Sequence, residues 1–161
     1  VKATGSLSFH RLREDEMTFV TDKPISLDKL VSAKPNDSSG ARAIFVGYVR
    51  DKISGKRVKK LFYECYPPMA EKQIEVIVEE AKKSWDLENI FVLHRIGWLE
   101  IGEIAVVVMV DSAHRKGAFA ACESIIDSVK KDVPIWKKEI YADETDGWVS
   151  VELKCEANVC K

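Results

Sequence analysis

Lys130-Lys131-Asp132-Val133-Pro134-Ile135-Trp136-Lys137-Lys138-Glu139 sets two lysine pairs on either side of a short apolar run. Lys130 falls at the expected end of a helix and Lys137 in the extended segment beyond it. Pro134 stops the helix and turns the chain, so the two groups can return toward one another. Ammonium groups beside Ile135 and Trp136 are partly desolvated. Desolvation and neighbouring cations both lower a lysine pKa, which suits lysine to acid–base work. The chemistry such a wall invites is the handling of a small anion. The plainer account is a solvated run of surface lysines.

A second constellation is Ser112-Ala113-His114-Arg115, between an apolar strand and a helix. Helix starts expose backbone N–H groups that favour anions. His114 and Arg115 add donors, and arginine grips a phosphate through two parallel bonds. A capping Ser112 with solvated neighbours is the plainer account. Arg50 ends an apolar strand and is either a ligand or a partner of an acid such as Asp51. Phe45 reads as core, and His94 as a strand histidine with its hydrogen bonds met. Cys65 and Cys122 read as packed thiols.

These groups need elements to place them. A weak strand is expected at 17–21, and Ser26 is a suitable N-cap for a short helix with Leu27, Leu30 and Val31. Residues 41–50 read as a strand with apolar side chains on both faces, hence interior. Gly47 within it suggests a bend or a close approach. Residues 51–57 read as a polar, exposed loop, and 58–66 as a strand. Pro67 and Pro68 suit a helix start. The helix carries Ile74, Ile77, Val78 and Ala81 inward, with Trp85 closing the stripe and Glu71, Glu75, Glu79 and Lys82 in water. Strands follow at 90–96 and 103–110, with Gly97 and Gly102 bracketing a connection. The last helix, from about Lys116, has the stripe Ala118, Cys122, Ile125 and Val129, widened by Phe119 and Ile126. Residues 133–141 are extended, 142–147 turn, and 148–153 form a last strand. Paired strands between helices argue for α+β rather than a doubly wound sheet.

The 161 residues fit one domain. A formal net charge of −1 excludes the global basic field of non-specific nucleic-acid binders. No apolar run reaches the roughly 20 residues that cross a bilayer, and residues 1–13 lack the apolar core of a secretory leader. The four cysteines form no C-x-x-C pair, so a reduced, cytosolic protein is expected. No P-loop, G-x-G-x-x-G, G-x-S-x-G or H-E-x-x-H occurs. The histidines show no metal-ligand spacing with cysteines, so no metal site is expected. Expected boundaries are a loose arm over 1–16, one domain over 17–153 and a tail over 154–161 that holds Cys155 and Cys160.

The set Phe45-Val-Gly-Tyr-Val-Arg50, Glu64-Cys-Tyr-Pro-Pro-Met-Ala-Glu71, His94-Arg-Ile-Gly97, Ser112-Ala-His-Arg115 and Val133-Pro-Ile-Trp-Lys-Lys-Glu139 resembles the large, catalytic subunit family of molybdopterin synthase. It does so in order and spacing, over about residues 40–148. Each motif is weak alone; the ordered set is specific. The resemblance implies an α/β hammerhead-type fold with a small additional antiparallel β subdomain. It implies a homodimer within a heterotetramer, with a ubiquitin-like small sulfur-carrier subunit at each far end. The activity implied is sulfur transfer from the carrier's C-terminal thiocarboxylate to cyclic pyranopterin monophosphate, which forms the dithiolene of molybdopterin. No metal or organic cofactor is implied. Carried over by position, Lys130 and Lys137 are catalytic, and Phe45, Arg50, His114, Arg115, Lys138 and Glu139 bind substrate. Val129 and Ile135 differ from relatives with larger side chains. A non-catalytic phosphate- or nucleotide-binding module and a docking scaffold for a ubiquitin-like protein remain the alternatives.

Overall fold

The computed structural model describes residues 18–53, 55–143 and 145–149. The arm expected over 1–16, the tail with Cys155 and Cys160, and residues 150–153 of the last expected strand lie outside them. In chain order the elements are β1 (Val20–Thr21), α1 (Leu27–Ser32), β2 (Ala41–Tyr48), β3 (Lys52–Ile53), β4 (Lys56–Cys65), α2 (Pro67–Ser84), β5 (Leu87–Arg95), β6 (Gly97–Glu100), β7 (Ile104–Ser112), α3 (Arg115–Asp132), β8 (Ile135–Tyr141) and β9 (Asp146–Val149).

Two sheets result. The first has the order β1-β5-β7-β2, with β1 parallel to β5 and the rest antiparallel. Its central strand β7 is buried from Ala105 onward, as its run of β-branched residues requires. The helices α2 and α3 cover one face through Ile74, Ile77, Val78, Ile125, Ile126 and Val129. On the other face Leu30 and Ala33 pack against Phe91, Leu93, Val107 and Met109. The second sheet has the order β3-β4-β8-β9, with β6 on the free side of β4. Its core is Val49, Val58, Leu61, Leu99 and Ala105. Helices and mostly antiparallel strands make this an α+β fold.

Several expectations shift. The strand β2 is an edge strand, not an interior one. Its two apolar faces report helices on both sides of the sheet, which is independent of how many strands flank it. Ser26 occupies the N-cap position of α1 but makes no side-chain capping bond. The loop expected over 51–57 contains β3, which pairs with the start of β4 as a hairpin. The connection between Gly97 and Gly102 is mostly strand: β6 pairs Trp98 with Phe62 and Leu99 with Leu61. Both glycines have positive φ, 86° and 83°, which side-chain-bearing residues resist. Phe119 does not widen the core stripe of α3; it is two-thirds exposed, and Ala121 is buried instead. Gly47 satisfies both expectations at once. The β2–β7 register shifts there, and a Cβ would lie 2.7 Å from Val106 Cγ1.

Two polar anchors were not legible in the sequence. Glu71 is not a bystander in water: its carboxylate accepts from the Phe19 N–H (2.7 Å) and the Val20 N–H (3.0 Å), which ties β1 to α2. Fully buried Asp111 takes two bonds from Arg42, Nε at 2.6 Å and Nη2 at 2.8 Å, and one from Asn89 Nδ2 at 3.2 Å. Arg42 Nη1 also donates to the Ala33 carbonyl at 2.7 Å. This network clamps the end of the first sheet just before the Ser112–Arg115 junction.

Candidate active site

The chain turns from α3 into β8 where Pro134 forbids a further helical turn. Lys130 therefore lies in the last turn of α3, where a cation complements the negative end of the helix dipole. Its ammonium stands 5.3 Å from the Phe45 ring centroid, a cation–π distance. Phe45 is only partly buried, and this contact gives the expected core residue a second role. Arg50 follows β2 at the same end of the sheet. Its neighbour Val49 bonds Glu103 at the start of β7, and Arg50 itself is exposed with no ion pair among the described residues.

The next strand divides the remaining candidates. Side chains alternate along β8, so Lys137 and Glu139 point inward while Lys138 points to the opposite face. The inward pair is joined: Lys137 Nζ is 2.6 Å from Glu139 Oε1. Glu139 is 1% exposed, and its other oxygen accepts from the Tyr141 hydroxyl. Both carboxylate oxygens are thus engaged by this chain. Lys138 pairs with Asp146 at 2.5 Å and lies 6.0 Å from the Trp148 ring. The two lysines of the pair do not line one wall, because successive residues of a strand face opposite ways.

Between Lys130 and Lys137 lie two residues that sequence reasoning left in the scaffold. His94 is buried at the end of β5, with its ring edge-on to Tyr63 at 5.1 Å. The Arg95 carbonyl, 2.9 Å away, can only accept, so His94 Nδ1 carries the proton and Nε2 keeps a lone pair. Burial, assisted by the nearby Lys130 charge, lowers the His94 pKa to about 4, so the ring is neutral at pH 7. Tyr63 pairs directly across the sheet with Lys137. Burial, and then the Glu139 charge, raises its pKa to about 12. No local signal could have found these two, since strand register is absent from the chain order. The satisfied-histidine reading of His94 accounts for Nδ1.

The buried imidazole makes a pH prediction. An unfolded histidine protonates near pH 6.5 and the folded one only near 4. The contribution of neutral His94 is therefore fully present above about pH 6.5 and declines as the pH falls toward 4. Urea unfolding at pH 7.5 and at pH 5 should show a larger acid loss in the wild type than in His94→Gln. An equal loss in both would contradict the buried neutral state.

His114 and Arg115 are not with the lysines. His114 is the N-cap residue of α3 and Arg115 its first residue, both exposed. Ser112 is buried and donates its hydroxyl to the Asp86 carbonyl at 2.9 Å; its oxygen accepts a long bond of 3.5 Å from the His114 N–H, but His114 and not Ser112 holds the N-cap position, and no side chain caps α3. Fifteen helical residues separate Arg115 from Lys130, about 22 Å of rise. One small molecule cannot touch both ends of that helix. Within one chain, Phe45, Lys130 and the Lys137–Glu139 pair lie toward one end of α3, with Arg50 beyond the end of β2, and His114 and Arg115 lie at the other.

No helix among the described residues is long and apolar enough to cross a membrane. A family model described as MoaE protein matches residues 20–132. A "Molybdopterin synthase catalytic subunit" of Bacillus subtilis is 40% identical over 86% of this chain and 87% of its own length. One of the same description from Thermoplasma volcanium is 42% identical, over 80% of this chain and 94% of that one. The crystal structure of molybdopterin synthase from Staphylococcus aureus superposes with a TM-score of 0.77 at 38% identity, over 84% of this chain and 98% of the other. With the family model matched over residues 20–132 and these relatives about 40% identical over most of both chains, the chain belongs to the MoaE family.

Proposed function

We propose that this chain is the catalytic subunit of a molybdopterin synthase. It moves sulfur from the C-terminal thiocarboxylate of a ubiquitin-like small subunit to cyclic pyranopterin monophosphate, building the dithiolene. The observation that carries this reading is a chain of neighbours between the two lysines: the Lys130 charge acts on His94, the His94 ring meets Tyr63, and Tyr63 pairs across the sheet with Lys137. The fold is read as α/β hammerhead-type, with β3, β4, β6, β8 and β9 as the additional β subdomain. Residues 17–153 are taken as one catalytic domain.

Both reactants are anions. Two unit charges 4 Å apart repel by about 4 kcal/mol at an effective dielectric of 20. Fixed cations offset that repulsion and hold sulfur and pterin in reacting geometry. Lys130 handles the thiocarboxylate and the thioester-like intermediate, and Lys137 supplies proton transfer or oxyanion stabilisation. Arg50 binds the substrate anion beside Phe45. Glu139 serves by holding Lys137 in place, because its own oxygens are occupied. Lys138 acts on the outer face of the second sheet, toward the small subunit rather than the pterin.

His114 and Arg115 enter through the homodimer. In a two-fold pair whose α3 helices lie antiparallel at the axis, residues from opposite ends of α3 meet, so that one copy's His114 and Arg115 complete the phosphate site of the other. The test mixes the chain, thiocarboxylated small subunit and cyclic pyranopterin monophosphate, and measures dithiolene product. No product above the level without this chain would overturn the reading. The same assay tests the shared site. Lys137→Ala and Arg115→Ala are each expected to be nearly inactive, but co-refolded together they recover about a quarter of wild-type activity, since half the dimers are mixed and each carries one intact site. No recovery would place His114 and Arg115 outside the site.

A further inference from the structure

Among the described residues, Tyr63 is the one phenol packed against both cores at the proposed catalytic end. It packs against the helix-side core of the first sheet and against the core of the second. Three observations set it apart from a filler. Its strand position faces Lys137, and directly opposed residues of an antiparallel pair bring their Cβ atoms within about 5 Å. Its ring meets His94, which in turn lies under the influence of Lys130. Its hydroxyl is uncommitted: no hydrogen bond to it occurs among the described residues. Nor is it among the sealed side-chain polar atoms without a hydrogen bond, which are on Ser39, Arg95 and Glu139, whose Oε1 has the Lys137 ammonium as its ion-pair partner instead. The neighbouring Tyr141 shows the contrast, with its hydroxyl spent on Glu139.

We propose that the Tyr63 hydroxyl is a further functional group of this site: a neutral hydrogen-bond donor, on the strand position opposite Lys137 and beside His94, for the carbonyl oxygen of the incoming thiocarboxylate. The inference rests on the sulfur-transfer reading above. When water adds to the acyl carbon of the thioester-like intermediate, the carbonyl electron pair moves onto that oxygen, and a fixed donor stabilises it without reorganisation. The oxyanion then collapses, the C–S bond breaks, and sulfur leaves on the pterin with the bonding pair. The carrier keeps a carboxylate, and the water's protons pass to the departing thiolate and to solvent. A phenol suits the place better than a third ammonium. With its pKa at about 12 it stays protonated across the working range, and it adds no charge beside Lys137. No proton is transferred by Tyr63; the donor and its hydrogen remain bonded throughout.

Tyr63→Phe keeps the ring against His94 and removes only the hydroxyl. In the reconstituted synthase its kcat for dithiolene formation should fall by about 10²-fold. The KM for the thiocarboxylated small subunit and the midpoint of thermal unfolding should stay near wild type. Rates are taken where circular dichroism shows the variant fully folded, so a packing defect cannot imitate the result. A kcat within twofold of wild type would overturn the proposal and leave Tyr63 a packing residue. A change confined to KM would also overturn it, since the donor would then act only in binding. If the wild type itself makes no product, the sulfur-transfer reading fails instead, and the two failures are distinct.

Discussion

Replacing Lys130 or Lys137 by alanine should lower dithiolene formation by about 10²–10⁴-fold, the usual range for loss of a positioned proton-transfer group. The two variants should differ in stability. Lys130 is exposed at the end of α3 and touches Phe45 through a cation–π contact, so Lys130→Ala should unfold within about 1 kcal/mol of wild type. Lys137 is the counter-ion of a carboxylate that is 1% exposed. Lys137→Ala leaves that charge buried beside Tyr141 alone, which costs about 3 kcal/mol or more. Adding Glu139→Gln should recover much of that stability, because a neutral amide takes the place of the stranded charge. It should recover none of the activity. Turnover that returned with the double variant would mean that Lys137 acts only by balancing Glu139. Wild-type turnover in either single variant would remove that lysine from the chemistry. It would also favour a binding module or docking scaffold over an enzyme.

Asp111→Ala should cost about 3–5 kcal/mol of folding stability, the range for breaking a buried ion pair by removing one partner. Asp111 is fully buried and holds Arg42 through two bonds, with Asn89 on the same oxygen as Arg42 Nη2. Without the carboxylate the guanidinium keeps only the Ala33 carbonyl among the partners described above. For a domain of this size the loss corresponds to roughly 10 °C in the unfolding midpoint. Urea unfolding with an unchanged m-value would identify the effect as native-state destabilisation. A loss below about 1 kcal/mol would show that the clamp is not needed. Because Asp111 immediately precedes Ser112, a weakened clamp should also loosen the His114–Arg115 junction. The Asp111→Ala protein should then lose more activity toward the phosphate-bearing substrate than its folded fraction explains.

Much of the fold is legible in the sequence. The helical stripes Ile74–Ala81 and Ala118–Val129 obey a local period, and the strands at β4, β5, β7 and β8 obey another, because each element must turn apolar residues toward a neighbour. Pro67 and Pro134 mark where helices start and stop because proline lacks the N–H that a helix interior needs. The ordered motifs carried the family, and with it Lys130 and Lys137. What stayed hidden depends on partners far along the chain. Nothing local says that Glu71 ties down β1, that 51–57 folds into a hairpin, or that Tyr63 faces Lys137. Strand register decides which side chains meet, and one residue of slip would exchange Lys137 for Lys138. The single basic wall read from Lys130–Glu139 became two faces of β8 for that reason. The second wall, His114 and Arg115, moved to the far end of α3, where the rigid rise of a helix keeps it from the lysines of the same chain. Sequence alone determined the family and the residues proposed for the chemistry, because motifs and periods are properties of neighbours in the chain. Tertiary structure decided which of them share a site, because that depends on register and distance between elements the chain order does not relate.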